Sequence, residues 1–160
     1  MKILIASVTA ASLLVSSPAM ANNFGGVYGE ITAGAENITS ETLVKPRAKD
    51  INYGVAAGIN VPAGNIILGV EASINNVFDR EEYGASARIG YAFDKVMPYV
   101  KAGYANYNDS FSRSLSGLRV GGGVEYNISE HTYIKAEYRY TDFEQGIGKH
   151  GGLVGVGIRF

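Results

Sequence analysis

The sequence predicts an all-β chain, an eight-stranded antiparallel up-and-down transmembrane β-barrel. Three observations lead there: apolar residues recur at every second position, the segments that do so are about ten residues long, and short and long connectors alternate between them. A mean hydropathy of +0.03, despite 46% hydrophobic residues, shows that apolar and polar side chains are interleaved. Beyond the N-terminus no apolar run approaches the roughly 18 residues that a membrane helix needs. The 21 glycines and 11 tyrosines disfavour helix and favour strand.

The N-terminal segment reads as an address. Lys2 gives a positive charge, Ile3–Val15 an apolar stretch, and Ala19-Met20-Ala21 a small-residue cleavage site. This is the layout of a secretory signal peptide, so residues 1–21 are expected to be removed and residues 22–160 to form the barrel domain.

Each later segment has two faces. About Phe24–Ala35, Val27, Ile31 and Ala33 oppose Tyr28, Glu30 and Thr32. From Ile51 to Val61, Ile51, Tyr53, Val55, Ala57, Ile59 and Val61 oppose Asn52, Gly54, Ala56, Gly58 and Asn60. Ile66, Leu68, Val70, Ala72 and Ile74 then oppose Gly69, Glu71, Ser73 and Asn75. In the fourth segment Tyr83, Ala85, Ala87, Ile89, Tyr91 and Phe93 oppose Gly84, Ser86, Arg88 and Gly90. Pro98, Val100, Ala102 and Tyr104 face away from Lys101, Gly103 and Ala105. Leu118, Val120, Val124 and Tyr126 face away from Arg119, Gly121, Gly123 and Glu125. Ile134, Ala136, Tyr138 and Tyr140 oppose Lys135, Glu137 and Arg139, and Val154, Val156, Ile158 and Phe160 oppose Gly155, Gly157 and Arg159.

The connectors 62–65, 94–97 and 128–131 are tight turns, whereas 36–50, 76–81, 107–116 and 142–150 are longer and polar. Short turns on one side and long loops on the other fit an outer-membrane barrel with its turns and both termini in the periplasm. The long loops are then external and available to a host or surface ligand.

A soluble ligand-binding barrel such as a lipocalin would turn the apolar face inward. Three features favour the inverted arrangement. The apolar face carries no Asp, Glu, Lys or Arg. The opposite face is rich in Gly, Ala and Ser, which suit a crowded lumen. The apolar-face aromatics collect at strand ends: Tyr91, Phe93, Tyr126 and Phe160 beside the short turns, and Tyr53, Tyr83, Tyr104, Tyr138 and Tyr140 toward the long loops. These form two interfacial girdles around small aliphatics.

Phe160, with Ile158 and Val156 at alternate positions, resembles the C-terminal signal read by the barrel-assembly machinery. Ile158 stands where a tyrosine is usual. From Gly121-Gly-Gly-Val-Glu-Tyr126 through Lys135-Ala-Glu-Tyr-Arg-Tyr-Thr-Asp-Phe143 to Phe160, with Leu68-Gly-Val-Glu71 and Arg88-Ile-Gly-Tyr91, the chain resembles the small outer-membrane β-barrels of alphaproteobacteria. These are the porin-like or opacity-like surface proteins, related in architecture to the OmpA transmembrane domain. The resemblance implies an abundant envelope protein in contact with outer-membrane lipid and lipopolysaccharide. It also implies roles in envelope integrity and sometimes in adhesion or haem-type ligand binding. A peptidoglycan-binding domain is not expected.

Ten charges are expected in the lumen: Glu30, Glu71, Glu125 and Glu137 with Arg88, Lys101, Arg119, Lys135, Arg139 and Arg159. Desolvated charges need partners. Simple hairpin register places Glu71 diagonal to Arg88, Glu125 diagonal to Lys101, and Glu137 between Arg119 and Arg139. Such pairs fill an eight-stranded lumen as a plug; the alternative is a gate whose partners exchange to open a narrow ion channel.

Catalysis is not expected. Of the two histidines, His131 lies in a turn and His150 at a loop end; Asp142 or Glu144 could pair with His150 as acid and base, but no nucleophile–base–orienter set can be assembled. The zero cysteine count removes thiol chemistry and Cys-based metal sites. Gly121–Gly123 lies mid-strand, with no following helix or Lys to hold phosphate, so no cofactor is expected. A formal net charge of −1 gives no basic excess for nucleic acid. The basic stretch Lys45-Pro-Arg47-Ala-Lys49, in the first long loop, is either a solvated loop or a contact for lipopolysaccharide phosphate or a host polyanion.

Overall fold

The computed structural model describes residues 23–40, 50–77, 80–108, 114–143 and 147–160. The expected signal segment, residues 1–21, lies outside them. Eight strands follow in order: β1 (Gly26–Ser40), β2 (Asp50–Ala63), β3 (Ile66–Val77), β4 (Arg80–Tyr91), β5 (Val96–Asn108), β6 (Ser114–Asn127), β7 (Thr132–Phe143) and β8 (Ile147–Arg159). Each pairs antiparallel with the next, and β8 closes on β1.

Following partners around the barrel gives its stagger. From Tyr28 the ladder runs through Gly58, Glu71, Ser86, Gly103, Arg119, Thr141 and Lys149, and returns to β1 at Ile38, ten residues further along. A closed sheet with that stagger must tilt its strands to the barrel axis, by roughly 35–45° in barrels of this kind.

The strands run 12 to 15 residues, longer than their apolar stretches. The excess lies at the end opposite the tight turns, where backbone pairing continues after the lipid-type side chains stop. The long links are correspondingly shorter than 36–50, 76–81, 107–116 and 142–150. Glu36, Glu82 and Lys149 belong to strands, and residues 41–49, 78–79, 109–113 and 144–146 lie outside the described residues.

Burial follows the two-residue period, inverted relative to a water-soluble protein. Ile31, Val70, Val100 and Val154 are more than half exposed on the outer face, whereas Glu125 and Glu137 are at most 4% exposed inside. This excludes a soluble barrel with an apolar interior. The turn end of the lumen is apolar, closed by Phe24, Ile67, Ala92, Met97 and Tyr99.

Candidate functional site

The lumen holds the chemistry of the molecule. Among the described residues, thirteen charged side chains are buried there. They include the ten inward residues of the sequence pattern and add Glu36, Glu82 and Lys149.

Eight of them form one chain of alternating sign nearer the turns. Glu30 meets Lys135, which lies 3.3 Å from Glu137. Lys101 lies 2.8 Å from Glu137 and 2.9 Å from Glu71. Arg88 lies 3.8 Å from Glu71 and 2.7 Å from Glu125, and Arg159 closes the series 2.7 Å from Glu125. Four carboxylates balance four cations.

The other five make a second chain toward the opposite end. Arg119 meets Glu82, Lys149 lies 3.1 Å from Glu82 and 2.6 Å from Glu36, and Arg139 lies 2.8 Å from Glu36. Polar residues complete it. Arg119 Nε donates to Thr141 at 3.0 Å, Arg139 Nη2 to Asn75 at 3.3 Å, and Asn52 to Glu36.

These pairings differ from simple hairpin register. Glu71 and Arg88 do approach, but at the longest distance of the series. Glu125 binds Arg88 and Arg159 in place of Lys101, and Glu137 sits between Lys101 and Lys135 in place of Arg119 and Arg139. Part of the cause is a glycine on the neighbouring strand. Glu71 faces Gly58, Arg88 faces Gly69, Lys101 faces Gly121, Lys135 faces Gly155 and Glu137 faces Gly123. A long side chain above a glycine can pass over that strand and meet a partner on the next one. Hence Lys101 of β5 passes over Gly121 of β6 to Glu137 of β7, and Lys135 of β7 passes over Gly155 of β8 to Glu30 of β1; Glu71 and Arg88 reach the other way, Glu71 across β4 at Ser86 to Lys101 and Arg88 across β5 to Glu125 of β6.

Three tyrosines use the same device. Tyr28, Tyr99 and Tyr133 lie directly opposite Gly58, Gly123 and Gly157. A Cβ on any of these glycines would collide with the ring or hydroxyl. Each tyrosine donates to a carboxylate: Tyr28 to Glu71 at 2.9 Å, Tyr99 to Glu137 at 2.6 Å and Tyr133 to Glu30 at 2.8 Å. Arg88 stacks between the rings of Tyr28 and Tyr99, 4.8 and 4.9 Å from their centroids. Tyr99 and Tyr133 were not legible as lumen residues, because each stands near a turn; a tyrosine directly opposite a glycine of the paired strand is the signal that finds them.

On the outer face Tyr91, Phe93 and Tyr126 stand at the turn end, and Tyr53, Tyr83, Tyr104, Tyr138 and Tyr140 toward the other, all exposed. Tyr91 and Phe93 pack with centroids 4.5 Å apart. Val156, Ile158 and Phe160 form an outward stripe at the end of β8. His131 is exposed in its turn, and His150 lies beside the Tyr138 ring, 6.4 Å between centroids.

A barrel with apolar walls and a charged interior is suited to lipid. The model of the outer membrane protein beta-barrel domain matches residues 7–160. The chain belongs to that family. It is thus an outer-membrane β-barrel, similar to the 25 kDa outer-membrane immunogenic protein of Brucella ovis at 27% identity, which covers 88% of this chain and 78% of that one. A 22 kDa outer membrane protein of Rhizobium leguminosarum is 26% identical, over 66% of this chain and 64% of its own. Among solved structures, Neisserial surface protein A shares the barrel with a TM-score of 0.64 at 23% identity, covering 84% of this chain and 97% of that one. Ail of Yersinia pestis, in complex with the heparin analogue sucrose octasulfate, gives 0.62 at 15%, covering 85% and 99%. These two likenesses concern the fold.

Proposed function

We propose that this outer-membrane barrel is a non-enzymatic structural and surface-displayed protein whose external links carry any recognition. The observation that supports this most is the filled lumen: two alternating chains of ion pairs brace the strands across the barrel and occupy the space a solute would need. With the lumen committed to structure, contact with other molecules falls to the links. The stretch Lys45–Lys49 offers the chemistry for an anionic surface there, lipopolysaccharide phosphate or a host polyanion; the Ail structure solved with a sulfated sugar is a precedent on the same fold. In this reading residues 1–21 act as the secretory signal, the turns and termini are periplasmic, and Val156, Ile158 and Phe160 present the stripe read by the assembly machinery.

A second reading has one observation in its favour. Lys101 and Lys135 each contact two carboxylates, and both share Glu137. Cations with two partners can exchange them, which is what a gate in a narrow ion channel requires. Conductance of the folded, heat-modifiable protein in a planar bilayer separates the readings. The structural reading expects silence. Discrete openings altered by Arg119→Ala or Glu137→Ala would overturn it and make the lumen the functional site.

A further inference from the structure

The ion-pair chains account for the middle and one end of the lumen, but not for what lies at the turn end. There the residues before β1 leave the barrel wall. Gly26 adopts φ +110°, a left-handed conformation that L side chains rarely adopt, and a Cβ at that position would collide with the Phe160 carbonyl. The bend turns Asn23–Gly25 inward, beneath the barrel mouth.

The mouth receives this segment with specific groups. Phe24 is 1% exposed and packs in one cluster with Ile67, Ala92, Met97 and Tyr99. Asn60 Nδ2 donates to the Phe24 carbonyl at 2.9 Å. The Asn23 carbonyl accepts from Arg159 Nη1 at 2.8 Å and from Asn127 Nδ2 at 3.3 Å. The Arg159 guanidinium lies 5.3 Å from the Phe24 ring centroid. Carbonyls that would otherwise be hydrated are therefore bonded by buried side chains of β2, β6 and β8, and the aromatic ring fills the apolar space between them. Arg159 belongs at once to this mouth and to the end of the ion-pair chain, so the segment and the chain share a residue.

We propose that the turn-side mouth of the barrel is a docking site for the chain's own Asn23–Gly25 segment, which serves as a cork with Phe24 as its stopper. The cork keeps water from the lower ion-pair chain, whose contacts are strong only where solvent is excluded. It closes the lumen at the turn end, so an exchange of partners higher in the lumen would open no through-path while Phe24 is seated.

The absence of native cysteine makes the test clean. Ala92→Cys places a thiol under the stopper, and Lys95→Cys one on the exposed turn beside it. Modification by a water-soluble maleimide is followed on full-length protein extracted from outer membranes, scoring the folded, heat-modifiable band alone. Ala92→Cys is expected to react slowly with Phe24 present. Adding Phe24→Ala, or separately Gly26→Ala, is expected to speed it by at least about tenfold, as opening a local closure does. Phe24→Leu, which still fills the cluster, is expected to stay near the slow rate. The cork is overturned if Ala92→Cys reacts as fast as Lys95→Cys with Phe24 in place, or if neither Phe24→Ala nor Gly26→Ala changes its rate. Gly26→Ala preserves the readout should Phe24→Ala fail to fold.

Discussion

Arg88 Nη2 lies 2.7 Å from Glu125 Oε1, across the lumen from β4 to β6, two strands that share no backbone hydrogen bonds. Glu125 holds Arg159 of β8 at the same distance through its other oxygen. One carboxylate thus bridges three strands that the ladder does not join directly, and both it and its partners are buried.

Removing that carboxylate leaves two buried cations short of a partner. Glu125→Gln is expected to destabilise the folded barrel by about 3–5 kcal/mol, the range for breaking one side of a buried pair. Urea titration of the barrel in lipid vesicles, read by heat-modifiable mobility, measures it. A cost under about 1 kcal/mol, the range of exposed pairs, would mean that the lumen is wet.

The second chain makes a contrasting prediction of rank. It runs Arg119–Glu82–Lys149–Glu36–Arg139, with three cations to two carboxylates. Lys149→Gln leaves two matched pairs, Arg119 with Glu82 and Arg139 with Glu36. Glu82→Gln instead leaves Arg119 without its carboxylate. The same titration is expected to rank Glu82→Gln as clearly more destabilising than Lys149→Gln; equal or reversed costs would contradict the alternating chain.

Two glycines on β8 should behave oppositely. A Cβ on Gly157 meets the Tyr133 ring, whereas one on Gly152 meets nothing within 4 Å. Gly157→Ala is expected to cost about 1–3 kcal/mol through overpacking, and Gly152→Ala to be close to neutral. If both are neutral, Tyr133 does not lie over Gly157 in the folded protein.

The lipid face has its own test. Val70 and Ile89 point outward between the two aromatic girdles. Val70→Arg or Ile89→Arg is expected to cost about 2–4 kcal/mol near the midplane, seen as reduced assembly into the outer membrane. Assembly at the parental level would place that face elsewhere.

Strand number, face and closure were legible because a period of two tolerates no ambiguity once one face is apolar. The inward direction of Glu71, Arg88 and Lys101 followed from the same period. Their partners did not, since pairing depends on the ten-residue stagger and, for Lys101, on the glycine opposite it on β6, and both belong to the closed barrel. Glu36, Glu82 and Lys149 escaped for another reason. They lie in polar stretches beyond the apolar band, where strand continues without an alternating apolar signal. Phe24 was legible as the start of a segment, but not as a stopper, because only the backbone turn at Gly26 sends it inward.

The central claim is that the apolar face meets lipid and the charged face fills the lumen. The sequence has no tryptophan, so Val70→Trp provides a single reporter, read by fluorescence in vesicles with and without chain-brominated lipid. The account predicts blue-shifted emission, strongly quenched by the brominated chains and little affected by aqueous acrylamide. Emission quenched by acrylamide and indifferent to brominated lipid would place Val70 in water and contradict the account.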